Sequence, residues 1–163
     1  MRYNIFGVLV HSLVIYSFFA SLVYAWPARV VHVADGDTIT VEPAEGGDRV
    51  KIRLHGIDAP ESRQAYGQAA KGFVVEAVLF KPVDIEEKAI DKYGRTVAVV
   101  HVADTTLQEM LLASGYAWVW TRYCKNCKDW VAIERTAVKA KRGLWQDEEP
   151  VAPWIWRRAN KKR

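Results

Sequence analysis

Three short segments of this 163-residue chain place charged side chains where folding alone asks for none. Val33-Ala-Asp35-Gly-Asp37-Thr38 sets two carboxylates on either side of a glycine. Asp and Gly favour tight turns, and the same carboxylates are hard-oxygen donors for a divalent cation, so this segment alone leaves both readings open. Arg53-Leu-His-Gly-Ile-Asp58-Ala-Pro60-Glu61 places two more carboxylates just after a strand pattern, with Pro60 stiffening the backbone between them. Asp91-Lys-Tyr-Gly-Arg95 adds a second arginine at the start of a hairpin strand. Taken singly, each arginine reads as a surface ion pair of small energetic weight. Taken together, the segments supply carboxylates for a metal, a further carboxylate to orient or deprotonate water, and two arginines to clamp a phosphate. Metal-assisted phosphodiester hydrolysis needs that set of groups.

The elements around these segments must hold them in register. Val31 and Val33 flank His32, Ile39 and Val41 alternate with Thr38 and Thr40, and Val50, Ile52 and Leu54 alternate with Lys51, Arg53 and His55. This period of two predicts three half-buried strands, with Arg53 on the polar face of the third. From Tyr66 to Phe80 the period becomes helical, with Ala69, Ala70, Phe73, Val74, Ala77 and Val78 on one face and Pro82 as the stop. Val83 and Ile85, then Thr96 to Val102, predict a hairpin across residues 91–94. Thr106 with Glu109 three residues on is a capping box for a second helix that ends at Gly115. Ala117 to Trp120 reads as a short aromatic strand, and a third helix runs from about Lys128 to Arg142, with Trp130, Ile133, Ala137 and Ala140 on its stripe. Five strands and three helices in mixed order place the chain in the α+β class, mainly a β barrel or sheet and compatible with an OB-type barrel.

Charge distribution narrows the partners. The net charge of +4 comes from 23 bases against 19 acids, yet Arg2 and five bases within residues 151–163 lie outside the body. Residues 26–150 therefore hold 17 bases and all 19 acids and are slightly acidic. Any nucleic-acid site in this body is built from a few placed arginines rather than from a basic face. The C-terminal tail, 151–163, reads as a solubilising end or a phosphate contact, with Trp154 and Trp156 packing back onto the domain. Half the residues are hydrophobic, part of them in residues 1–25, where one base precedes an apolar run ending in Val23-Tyr24-Ala25. That pattern predicts a signal peptide cleaved before Trp26, with an uncleaved membrane anchor as the alternative, and hence a secreted or periplasmic protein. In that compartment Cys124 and Cys127 form a local disulfide or a thiol pair, since no second Cys-x-x-Cys or paired His completes a zinc site.

The ordered set of Asp35-Gly-Asp-Thr38, Arg53-Leu-His-Gly-Ile-Asp-Ala-Pro-Glu61, Tyr66-Gly-Gln-Ala69, Asp91-Lys-Tyr-Gly-Arg95, Gly115-Tyr-Ala117 and Gly143-Leu-Trp145 resembles the staphylococcal nuclease family. The resemblance covers nearly all of residues 29–145 and implies an OB-fold barrel of five strands with three helices. It implies Asp37 and Asp58 as calcium ligands with the backbone carbonyl of Ala59 as a third, one ion per domain, and Asp35 as a supporting acid. An all-oxygen ligand set taken alone also admits magnesium or manganese. Glu61 matches the family's water-activating glutamate, and Arg53 and Arg95 match its phosphate-binding arginines. Tyr93, and more loosely Trp120, are candidates to stack a base. The implied activity is calcium-dependent hydrolysis of DNA and RNA to 3′-phosphate ends, by a monomer with no stable protein partner. The alternative is a catalytically silent module of the same fold that binds nucleic acid or protein.

Overall fold

The computed structural model describes residues 24–124 and 126–161. The predicted signal peptide falls almost wholly outside them, and among the described residues no helix is long and apolar enough to cross a membrane.

Five strands close a barrel. Strand β1 (Trp26–Asp35) pairs antiparallel with β2 (Thr38–Pro43), and β2 pairs antiparallel with β3 (Val50–Leu54). After β4 (Ile57–Asp58) and helix α1 (Gly67–Val78), β5 (Pro82–Ile90) returns along β1, and β6 (Thr96–Val102) pairs with β5. A parallel pairing of β3 with β6, Arg53 opposite Val97, joins the two ends of the sheet. Closure leaves no open edge along these strands and fixes the register of β3 from both sides.

Alternation fills the interior: Ile39 and Val41 from β2, Ile52 and Leu54 from β3, and Val83 and Ile85 from β5 are all buried. In β1 the expected parity breaks. Val30 and Val33 are buried while Val31 lies half out, because register shifts between Val30 and His32 and between Val33 and Asp35 insert an extra residue. Such bulges bend a strand and increase its twist, which a small closed barrel requires.

Strand β7 (Thr105–Thr106) leads into α2 (Leu107–Ala113), which together with α1 covers the core. The capping box forms: Glu109 N donates to Thr106 Oγ1 at 3.2 Å, and Thr106 N donates to Glu109 Oε2 at 2.9 Å. Partial burial pushes the Glu109 carboxyl up, but hydrogen bonds from Thr106 and Thr105 outweigh it and hold the group below its ordinary value. At the other end Tyr116 N donates to Leu111 O and Gly115 N to Leu112 O, a Schellman arrangement made possible by Gly115 at φ 72°.

Strand β8 (Trp118–Val119) pairs with β4, setting Asp58 opposite Trp118. Helix α3 (Lys128–Lys139) stops three residues short of the expected Arg142, because Lys141 turns into the left-handed region at φ 50°. Ala140 is accordingly exposed rather than part of the buried stripe. A 3-10 turn (Gly143–Gln146) follows. A fourth helix, α4 (Pro153–Ala159), then forms within the basic segment that the sequence presents as a tail. Pro153 starts it at a position where a missing N–H costs nothing, and Ala152 and Pro153 are buried against the domain. Cys124 and Cys127 are paired, with Cα atoms 5.6 Å apart.

Candidate active site

Arg53 stands at the centre of the acid cluster. It lies on the outward parity of β3, yet its side chain is only 12% exposed because the β1–β2 turn and β4 fold over it. One end of its guanidinium pairs with Asp37 Oδ1, and Nη2 donates to Asp58 Oδ1 at 2.8 Å. Burial lowers the Arg53 pKa, with Asp58 acting against that pull. The cause is desolvation of a cation taken out of water, which Asp58 and the more distant Asp35 only partly offset.

The two acids reach this point by different routes. Asp37 follows Gly36, where an added Cβ would lie 2.8 Å from Ala59 Cβ and 2.9 Å from Ala70 Cβ. Glycine therefore lets the turn press against the segment that carries Asp58. Asp35 Oδ1 accepts from Asp37 N at 3.1 Å and orients the turn, while Asp37 Oδ2 accepts from Ala59 N at 2.8 Å. Asp58, fully buried, is fixed by the β4–β8 pairing. Glu61 lies one turn further on, its N–H donating to Gln64 Oε1 at 3.1 Å. Gly67, at the start of α1, has no room for a Cβ because the Glu61 carbonyl fills that space. Close packing on glycine thus sets both the Asp37 turn and the Glu61 turn against α1.

Arg95 approaches from the β5–β6 hairpin. Its Nε and Nη2 both meet Asp91 Oδ2 at 2.7 Å, and Asp91 Oδ1 accepts from the N–H groups of Tyr93 and Arg95 at 2.8 and 3.0 Å. Asp91 therefore builds the turn and aims the arginine. Burial pushes the Asp91 carboxyl up, but hydrogen bonds from Arg95 and Tyr93 together with the Arg95 charge outweigh it and hold the group below its ordinary value. Tyr93 is 72% exposed, with Arg95 Cζ 5.6 Å from its ring centre. Trp120 and Tyr123 form the opposite rim, their rings 4.5 Å apart edge to face. Between the rims runs a cleft of about 800 Å³ that includes Asp35, Asp37, Arg53, Glu61, Tyr93, Arg95 and Trp120.

One residue in this cleft escaped the reading of the sequence. Arg157, on α4, donates from Nη2 to Asp58 Oδ2 at 2.7 Å and from Nη1 to Asp58 Oδ1 at 3.2 Å and Glu61 Oε1 at 2.7 Å. Burial lowers its pKa, but hydrogen bonds and attraction from Asp58 and Glu61 more than reverse that, and the net shift is upward. Trp154, three residues earlier, stacks on Trp120 with centroids 6.2 Å apart, and Gln64 Nε2 donates to Val151 O. The pairing of Trp154 and Trp156 in a segment headed by Pro153 was the available signal that this end docks.

The donor set suits a hard divalent cation. Carboxylates of Asp37 and Asp58 converge on one guanidinium, beside the Ala59 backbone, an all-oxygen set of donors. Among the described residues no three His, Cys, Asp or Glu side chains gather into a metal-binding group.

A closed five-stranded barrel with acids and arginines gathered over one side is the plan of an OB-type barrel that handles phosphate esters. Residues 51–147 match the family described as staphylococcal nuclease homologue, and the chain belongs to that family. An uncharacterized endonuclease of Escherichia coli O157:H7 is 36% identical over 143 residues, covering 83% of this chain and 92% of its own length. A second uncharacterized endonuclease, from Haemophilus influenzae, is 38% identical over 133 residues, with 82% and 74% covered. A protein of Shigella flexneri named micrococcal nuclease is 34% identical over 143 residues, with 82% and 81% covered.

Proposed function

We propose that this protein is a nuclease: a secreted or periplasmic, calcium-dependent hydrolase of phosphodiester bonds in DNA and RNA that leaves 3′-phosphate ends. The observation that carries the reading is Arg53, buried between Asp37 and Asp58 on the same cleft as Glu61 and Arg95. Phosphodiester hydrolysis builds negative charge on the phosphoryl oxygens as phosphorus becomes five-coordinate, and a fixed cation there lowers the barrier. Arg53 and Arg95 carry that charge from two sides of the cleft. Arg53 is held rigid by its carboxylates and Arg95 by Asp91, so neither pays for reorganisation at the moment of reaction. Glu61, half-exposed on the cleft wall, accepts the proton of the attacking water or orients it. A calcium ion held by Asp37, Asp58 and the Ala59 carbonyl would supply Lewis-acid charge at a phosphate oxygen. Tyr93 and Trp120 stack the bases that flank the scissile bond. Export is supported by the leader pattern of residues 1–25, and predicts a mature chain whose intact mass begins at Trp26.

The test is incubation of the purified protein with plasmid and single-stranded DNA, first with calcium and then with excess chelator. Cleavage in calcium that stops with chelator and yields 3′-phosphate ends is expected. Binding to DNA without cleavage would instead assign the chain to the catalytically silent members of the fold, and chelator-insensitive cleavage would overturn the metal requirement.

A further inference from the structure

Arg157 meets the same carboxylate oxygens that a divalent cation would need. Both oxygens of Asp58 accept from its guanidinium, and Nη1 also reaches Glu61. Asp58 is fully buried, and Arg53, already shared with Asp37, balances it only in part. A second cation is therefore required beside it, because an uncompensated buried carboxylate is strongly unfavourable.

The delivery of this cation is built into the fold. Helix α4 is held by the buried Ala152 and Pro153, by Trp154 on Trp120 and Trp118, and by Gln64 on the Val151 carbonyl. Arg157 Cζ lies 5.6 Å from the Trp120 ring centre, so the guanidinium crosses the cleft between an aromatic rim and the acids. The whole element lies beyond residues 51–147, the part that matches the family.

We propose that Arg157 is a built-in counter-cation, exchanged for the divalent ion: α4 closes the acid cluster in the metal-free protein, and cation binding to Asp58 expels Arg157 and loosens α4 from the cleft. This rests on the reading of Asp58 as a cation ligand. It deepens that reading by making access to the site conditional on the C-terminal helix. A guanidinium and a calcium ion cannot share the two oxygens of one carboxylate without strong repulsion between them. Release of Arg157 also moves Trp154 off Trp120 and frees that rim for a base.

Calcium titration by calorimetry of the purified wild-type protein, R157Q and D58N tests the exchange, alongside hydrogen exchange of the α4 amides with and without calcium. R157Q is expected to bind calcium about tenfold tighter than wild type, since one competing charge is removed. D58N is expected to lose binding. In wild type the amides of residues 154–159 should exchange faster when calcium is added, a result that needs no variant to fold. In R157Q they should already exchange fast and respond little. Wild-type calcium affinity in R157Q together with unchanged α4 exchange in the wild type would overturn the counter-cation role while leaving the metal site standing. Calcium binding undiminished in D58N, or none in wild type and R157Q, would overturn both.

Discussion

Arg53 and Arg95 face the same cleft but are held in opposite ways. Arg53 is on a barrel strand paired on both sides, 12% exposed, and bonded to carboxylates sixteen and five residues away in sequence. Arg95 sits where the β5–β6 hairpin closes, 25% exposed, and bonded to a carboxylate four residues before it. The first belongs to the load of the fold, so its chemistry and the stability of the barrel cannot be separated. The second belongs to a local turn that builds itself, so its chemistry can be removed with the fold left intact. A cleft made this way has one rigid wall and one adjustable rim.

Substitutions should split along that line. R53A strands the buried Asp58 beside a single remaining partner, and breaking a buried ion pair of this kind costs about 3–5 kcal/mol. Urea unfolding should show that loss together with a fall in nuclease turnover. R95A should lower turnover by about 10²–10³, the effect of removing one charge-stabilising donor. Its unfolding midpoint should shift by less than the equivalent of about 1 kcal/mol, because a half-exposed local pair carries little stability. Equal stability losses in the two variants would erase the contrast.

G36V tests how the Asp37 turn is seated. The added atoms would collide with Ala59 and Ala70, and overpacking of this sort costs about 1–3 kcal/mol. Away from the cleft, T106A should cost about 1 kcal/mol through loss of the α2 cap, with nuclease activity per folded molecule unchanged. The cap also carries a pH signature. Glu109 has a folded-state pKa below its ordinary 4.5, so its contribution is present above that value and lost as pH falls through the folded one. Unfolding midpoints followed from about pH 6 to about pH 3 should therefore drop less steeply in E109Q than in the wild type.

What could be read from the sequence follows from how far each contact reaches. Strand β3 was legible because Val50 to Leu54 alternates without interruption, and its parity puts Ile52 and Leu54 inside and Arg53 on the cleft side. Strand β1 was legible as a strand but not in its facing. A bulge leaves no mark in hydrophobic pattern, and Val30, Val31 and Val33 are equally apolar. The α2 cap was readable from Thr106 and Glu109 because both halves of the motif lie within one turn. Arg157 was not readable as a site residue. Its partner Asp58 lies 99 residues away, and Trp154 and Trp156 signal that this end packs back without saying which acids its arginines meet. The β4–β8 pair that carries Asp58 and the helix that carries Arg157 meet only in three dimensions.

As proposed, the acids and arginines over this barrel hydrolyse a phosphodiester with Glu61 handling the water. Steady-state cleavage of a defined oligonucleotide in saturating calcium by Glu61→Gln tests it most directly. A kcat lower by about 10²–10⁴ is expected, with the protein folded and DNA still bound. Wild-type turnover in that variant would contradict it.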